Sequence, residues 1–329
     1  MIRSVHRAIG RGRSLLFEQL RIPKSAGSII PQGDMHTMGR LRNFTIAAIA
    51  GLGMALPAAA QDMKFFRIGT GSAGGTYFPI GGIIANAISN PPGSRPCEEG
   101  GNCGVPGLVA IAQSTNASAH NVNAVTLHFA YNGTDVFEGN AKPDLRVIAN
   151  LFPEDLHLVL PKGAKLDSLA DLEGKRVGIA QAGSGTQIAV ELILATQGIT
   201  RDNIEEAELN NTQSAERLAD GQLDAYFYAA GTPVAAMIQL DNTKGMELDY
   251  DVDTLAVSGI LVTNANQDEE LIYQVTKALW SDTARKLMDN GHPKAKVITM
   301  DTALDGVEGI GVPLHPGAER FYKEVGMLD

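Results

Sequence analysis

Two glycine-rich stretches are where this chain could do chemistry. The first is Ile68-Gly-Thr-Gly-Ser-Ala-Gly-Gly-Thr-Tyr-Phe-Pro-Ile-Gly-Gly82, entered from the apolar run Phe65, Phe66, Ile68. It predicts a strand, a tight loop and a helix with Pro79 near its first turn. Glycines let backbone N–H groups approach a ligand closely, and the positive end of the helix dipole lies behind them. The second is Arg176-Val-Gly-Ile-Ala-Gln-Ala-Gly-Ser-Gly-Thr-Gln187, followed by the helical run Ile188 to Gln197. Ser184 and Gln187 are spaced as a capping box, and Gly198 closes the helix. Two such loops facing each other would clamp an anion.

Other chemistries fit less well. Gly69-x-Gly71-x-x-Gly74 matches the dinucleotide fingerprint, but the region about 20 residues on is Asn90-Pro-Pro-Gly-Ser-Arg-Pro, a loop where an acidic strand end is needed. No Gly-Lys-Ser/Thr follows either run, which excludes a P-loop. Neither Ser72 nor Ser184 sits in Gly-x-Ser-x-Gly. His120, His128, His157, His292 and His315 are scattered without metal spacing. No catalytic residue, metal site or cofactor is expected.

Arg40 and Arg42 precede an apolar run from Phe44 to Leu56, and Ala58-Ala-Ala60 offers a cleavage site before Gln61. That layout is a secretory signal peptide in a leader of residues 1–60, with translation starting at Met35 or Met38 as an option. The alternative is an uncleaved anchor. The chain holds 27 Lys and Arg against 37 Asp and Glu; the leader takes eight and two of these, leaving −16 for the rest. A surface so acidic argues against nucleic acid or an anionic membrane as a partner, and leaves room for an anionic ligand held locally by helix ends. Cys97 and Cys103 share one Gly-rich loop, and an exported compartment would let them form a small disulfide staple.

Alternating strand and helix signals argue an α/β fold with mostly parallel sheets. Strands are expected at 65–69 and 107–112, along Leu145 to Leu160 with a break at Pro153, at Arg176 to Ala180, at Asp224 to Tyr228 and at Thr254 to Val262. Helices are expected at Thr212 to Ala219 and Gln267 to Trp280, and an acidic connector runs through Glu247, Asp249, Asp251 and Asp253. Crossings near Phe152 and Thr254 would make lobe one of 61–152 plus 254–329 and lobe two of 153–253, joined by a two-strand hinge with the cleft between them.

The first glycine stretch, Leu156-His-Leu-Val159, Ser168-Leu-Ala-Asp-Leu-Glu-Gly-Lys-Arg-Val177, Gly183-Ser-Gly-Thr186, Asp220-Gly-Gln-Leu-Asp-Ala225 and Val312-Pro-Leu-His-Pro-Gly-Ala-Glu-Arg-Phe-Tyr-Lys-Glu324 together resemble the TAXI solute-binding proteins of TRAP transporters. The resemblance covers nearly all of residues 62–329. It implies a two-lobed periplasmic binding protein of the type II kind, non-enzymatic and monomeric. Such a protein takes a small organic acid, glutamate-like or a dicarboxylate, to a TRAP membrane permease with fused small and large subunits. Carried over by motif, Gly71, Ser72, Gly75, Thr76 and Tyr77 would line lobe one, with Thr115, Ser118 and Asn121 on a polar turn of the same lobe. Ser184, Gly185 and Thr186 would hold a carboxylate from lobe two, with Ala230, Gly231 and Thr232 nearby. The chain departs from the family after Asn121 and between Leu240 and Thr254, where it is shorter, implying the loss of one lobe-one strand. An exported Gly-loop enzyme and a non-binding remnant of the receptor are the alternatives.

Overall fold

In the computed structural model, residues 63–115, 123–232, 234–244 and 254–329 are described. They all belong to one compact unit, Ala59–Asp329. The signal-peptide reading, Ser118, Asn121, Pro233 and the acidic connector at 247–253 lie outside the described residues.

The first glycine stretch folds as expected: strand β1 (Lys64–Thr70), a loop, then helix α1 (Tyr77–Ile88). In α1 the buried positions Ile80, Ile84 and Ile88 recur every four residues, so one stripe faces the core. Two short strands, β2 (Ser89–Asn90) and β3 (Val105–Pro106), pair with each other around the loop closed by the Cys97–Cys103 disulfide. Then β4 (Leu108–Ser114) returns parallel to β1. Helix α2 (Ala124–Asn132) leads to β5 (Leu145–Val159), a strand of 15 residues.

The second glycine stretch supplies β6 (Arg176–Gly178) and α3 (Gly185–Ala195). After it come β7 (Glu205–Ala207), α4 (Asn211–Ala219), β8 (Ala225–Ala230) and α5 (Ala235–Lys244). The chain finishes through β9 (Ala256–Asn264), α6 (Glu269–Leu279), α7 (Asp282–Gly291), the single turn α8 (Val307–Ile310) and α9 (Pro316–Glu324). Pro316 opens α9 at its first position, where the missing N–H costs nothing.

The five-stranded sheet has the order β7-β6-β8-β5-β9. Parallel pairing was expected to dominate, and β6 does pair parallel with β7 and β8, but β5 is antiparallel to both its neighbours. The reason is β5 itself. Its first part pairs with β9 and its last part with β8, and register shifts near Val147 and Phe152 let one strand bend between two surroundings. Pro153 sits just past the second shift, still opposite Ser258.

The apolar cores divide along this strand. Ile148, Ala149, Leu151 and Phe152 join the core built with β1, β4, α1, α6, α7 and α9. Leu156 joins the one built with β6, α3 and β8.

Among the described residues, β1 pairs with no strand but β4, and β9 ends its sheet. Between those two strands runs a groove of about 390 Å³, walled by Phe65–Gly69 and Ile260–Thr263 and floored by Ile84, Ile88, Ile148 and Val275. Phe65 is 72% exposed in its wall.

Helices α9 and α6 approach closely where Gly317 meets the first turn of α6. A Cβ there would lie 2.2 Å from the Glu269 carbonyl oxygen and 2.6 Å from the Tyr273 nitrogen. Both are backbone atoms of a packed helix, so neither can yield. Gly317→Ala is therefore expected to destabilise the protein by about 3 kcal/mol, the upper range for overpacking. Urea unfolding checks this, and an unchanged midpoint would contradict the tight crossing.

Candidate functional site

The first loop turns tightly, with the Gly75 N–H donating to the Ser72 carbonyl at 3.0 Å. The second begins after Ala180, which holds a left-handed backbone (φ 69°) that costs a non-glycine residue roughly 1–2 kcal/mol. Strain of this kind is kept where the surrounding structure fixes it, and Ala180 lines the cleft. Ser184 caps α3, its hydroxyl oxygen accepting from the Gln187 N–H at 3.2 Å. The reciprocal half of the expected capping box is displaced by one residue: Gln187 Oε1 accepts from the Gly183 N–H at 2.6 Å.

The two loops share one cleft. Its walls include Gly71, Ser72, Gly75 and Tyr77 from the first stretch and Ser184, Gly185 and Thr186 from the second. Water centres can occupy about 80 Å³ of it, room for a small solute.

Thr76, Thr115, Gly231 and Thr232 do not line it. The Thr76 hydroxyl donates to the Gly231 carbonyl at 2.5 Å, tying the first loop to the end of β8. The Thr115 hydroxyl donates to the Thr70 carbonyl. Gly231 is packed against the Lys294 methylenes, and Thr232 is exposed.

Several cleft residues escaped the sequence reading. Asn123 caps α2, its Oδ1 accepting from the Thr126 N–H at 2.9 Å. Asn210 caps α4 in a full capping box with Gln213. Asn211, Glu154, Gln181 and Tyr228 complete the polar lining. The Asn210-x-x-Gln213 spacing is a recognisable start signal, and an acid inside an apolar extended run, as at Glu154, was the other clue.

With these residues the electrostatics are clear. The starts of four helices meet at the cleft: Tyr77 of α1, Asn123 before α2, Ser184 to Thr186 at α3, and Asn210 and Asn211 at α4. Each helix N-terminus carries about half a positive charge. No lysine or arginine lines the cleft among the described residues. Anion attraction here comes from backbone N–H groups and dipoles.

Among the described residues, Glu154 is the one carboxyl in the lining. It is 3% exposed and its Oε2 accepts from the Tyr77 hydroxyl at 2.5 Å. Burial pushes it up to about 8, against that hydrogen bond and the positive charge of Lys294, which both pull it down. Burial also raises Tyr77 and Tyr228 well above the usual phenol range.

The four described histidines have structural partners, and His120 lies outside the described residues. His315 Nδ1 accepts from the Gly317 N–H at the start of α9, and His292 Nδ1 accepts from the Lys294 N–H. His128 and His157 each contact a backbone carbonyl, of Ile310 and Ala230.

Among solved structures, the chain resembles the alkanesulfonate-binding protein SsuA from Xanthomonas axonopodis pv. citri bound to MOPS. Identity is 19% over 80% of this chain and 85% of that one, with a TM-score of 0.45. A putative periplasmic sulfonate-binding SsuA from Methylobacillus flagellatus KT gives 15% identity over 82% and 89%, TM-score 0.43. PhnD1 from Prochlorococcus marinus (MIT 9301), in complex with methylphosphonate, gives 11% over 75% and 97%, TM-score 0.43. The profile of the NMT1-like family matches residues 68–248 and 242–326, which take in both glycine loops and the closing helix. The chain belongs to the NMT1-like family.

Proposed function

We propose that this protein is a periplasmic solute receptor of a TRAP-type transporter, of the TAXI kind, that captures a small carboxylate and hands it to a membrane permease with fused subunits. The observation that carries the reading is the convergence of four helix N-termini on one small cleft with no cationic side chain in its lining among the described residues. Such a site is built to receive an anion without being an enzyme's nucleophile or base centre. Ser184 caps a helix there, and Thr186 Oγ1 accepts from the Ala229 N–H at 3.2 Å, so the hydroxyls hold the framework as well as face the ligand.

In this reading residues 61–152 and 254–329 form one lobe and 153–253 the other. The two apolar cores meeting on β5 support that division. Closure would bring Ser72 and Gly75 onto the same ligand as Ser184, Gly185 and Thr186. Ser118 and Asn121 would join from the polar turn after β4. Export follows from the leader, with cleavage after Ala60, and the receptor works as a monomer.

Calorimetry against glutamate, glutamine, 2-oxoglutarate and C4-dicarboxylates tests the function. One-to-one binding is expected, weakened about tenfold by Ser184→Ala, the loss of one charge-assisted hydrogen bond of about 1.4 kcal/mol. Absence of binding heat from folded protein would remove the receptor function. Turnover of a solute that disappears in Ser184→Ala would instead identify an enzyme.

A further inference from the structure

Two polar groups in the cleft lack partners suited to them within the protein. Asn211, 4% exposed at the start of α4, has no hydrogen-bond partner among the described residues for either its Oδ1 or its Nδ2. Each such buried group costs about 1–3 kcal/mol while unpaired. A seated ligand that satisfies both must offer a donor as well as an acceptor, and a carboxylate offers acceptors only.

Glu154 is the second. Around it stand Tyr77 from α1, Tyr228 from β8, Asp155 and His157 on β5 itself, and Lys294 from the turn at Pro293–Val297. Tyr77 is a neutral donor, and the Tyr228 hydroxyl lies near Gly75, 2.7 Å from where a Cβ there would be. Lys294 Nζ is 3.6 Å from Asp155, so the nearest cation already has a carboxylate. Asp155 and His157 alternate with Glu154 along the strand and point to its other face. An ionised carboxylate at this depth has no counter-ion of its own, and the neutral acid is the favoured form.

We propose that Glu154 selects the ligand's second functional group by exchanging a proton: it is uncharged in the empty cleft and ionises when a ligand ammonium seats against it. The proposal deepens the receptor reading and rests on it. In the binding step the Glu154 O–H bond breaks, its proton leaves to solvent, and its electron pair stays on the carboxylate facing the ammonium. The ligand keeps all its protons. The Tyr77 hydrogen bond becomes charge-assisted and strengthens. The ligand's carboxylate lies at the helix N-termini and its ammonium between Glu154 and Asn211, whose amide oxygen gains its donor. A dicarboxylate without an ammonium has no cation to set against Glu154, which would then retain its proton.

L-Glutamate and glutarate differ by the ammonium group alone, so they are the probes, titrated calorimetrically at pH 6 to 8.5 in phosphate and in Tris. Glutamate affinity is expected to rise about tenfold per pH unit below 8 and then level off. The difference between buffers should report close to one proton released per glutamate at pH 7. Glu154→Gln should flatten the profile and weaken glutamate at pH 8.5 by about 30-fold or more, as expected for losing a buried charged partner. Glutarate binding more tightly than glutamate, or glutamate binding without proton release, overturns the role of Glu154 and leaves the receptor standing. Absence of heat with any solute overturns the receptor reading instead. The 13C carboxyl signal of Glu154, identified by its loss in Glu154→Gln, decides the proton's place without any ligand. A midpoint above 7 supports the proposal and one below 6 overturns it.

Discussion

Glu154→Gln is expected to raise the stability of the ligand-free protein at pH 8 and to leave it nearly unchanged at pH 4. The carboxyl titrates near 8 in the folded protein against an ordinary value of 4.5. Between those values the folded chain holds a proton that the unfolded chain has lost, so stability falls as pH rises. The contribution of the neutral acid is fully present below 4.5 and is gone once pH has passed through 8. At about 1.4 kcal/mol per pH unit, the difference across that window is roughly 3–5 kcal/mol. Glutamine has nearly the same shape, stays neutral, and still accepts from the Tyr77 hydroxyl through its amide oxygen. In scanning calorimetry the variant should melt about 10 °C higher than the wild type at pH 8, at roughly 2–4 °C per kcal/mol. A variant that melts lower at pH 8 would mean that Glu154 is ionised and supported in the folded state.

Gly185→Ala is expected to abolish ligand binding, by more than 100-fold, while helix content persists. Helix propensity alone predicts a gain, because alanine is favoured over glycine by up to about 1 kcal/mol inside a helix. Contact decides the other way. A Cβ at Gly185 would lie 2.2 Å from Asn123 Nδ2, 2.9 Å from its Cγ and 3.0 Å from the Thr126 hydroxyl. The Asn123 amide cannot swing aside freely, since its oxygen caps α2 and losing that cap costs about 1 kcal/mol. Relief comes from moving the starts of α2 and α3 apart, which takes two of the four N-termini out of position. Calorimetry beside circular dichroism checks this; wild-type affinity in a folded variant would show that α2 is no part of the site.

How legible all this was in the sequence depended on the range of the interactions. Gly69 to Gly75 and Gly183 to Thr186 announced strand–loop–helix turns because glycine, a small hydroxyl and a following apolar stripe act within one or two turns of chain. The same locality governs the capping box that Ser168 and Asp171 form ahead of Leu172. Strand direction was not legible. An apolar run such as Leu145 to Leu160 reads the same in either orientation, and only its partners make β5 antiparallel. Nor was the aim of a hydroxyl: Thr76 and Thr115 have the right chemistry but spend it on backbone carbonyls. Asn211 and Glu154 were missed because their significance lies in what they lack, a partner and a counter-ion, and a lack of that kind exists only in three dimensions.

The groove between β1 and β9 bears on how the cleft holds its ligand. A continuous sheet would transmit load from β1 to β9 through a ladder of hydrogen bonds, and among the described residues no such ladder joins them. Strand β1 is anchored by β4 and by the packing of α1, so the first glycine loop rides on a two-stranded ribbon. Glu154, by contrast, is mounted on β5 opposite Val257 of β9, one residue before the pairing with β8 begins at Asp155. Among the described residues no strand lies along the open edge of β1 to slow its amide exchange with solvent, whereas the amides of β5 are paired with β9 over its first part and with β8 over its last. In the proposed receptor, adjustment to solutes of different length would therefore fall to the glycine loop on its two-stranded ribbon rather than to the strand that carries Glu154.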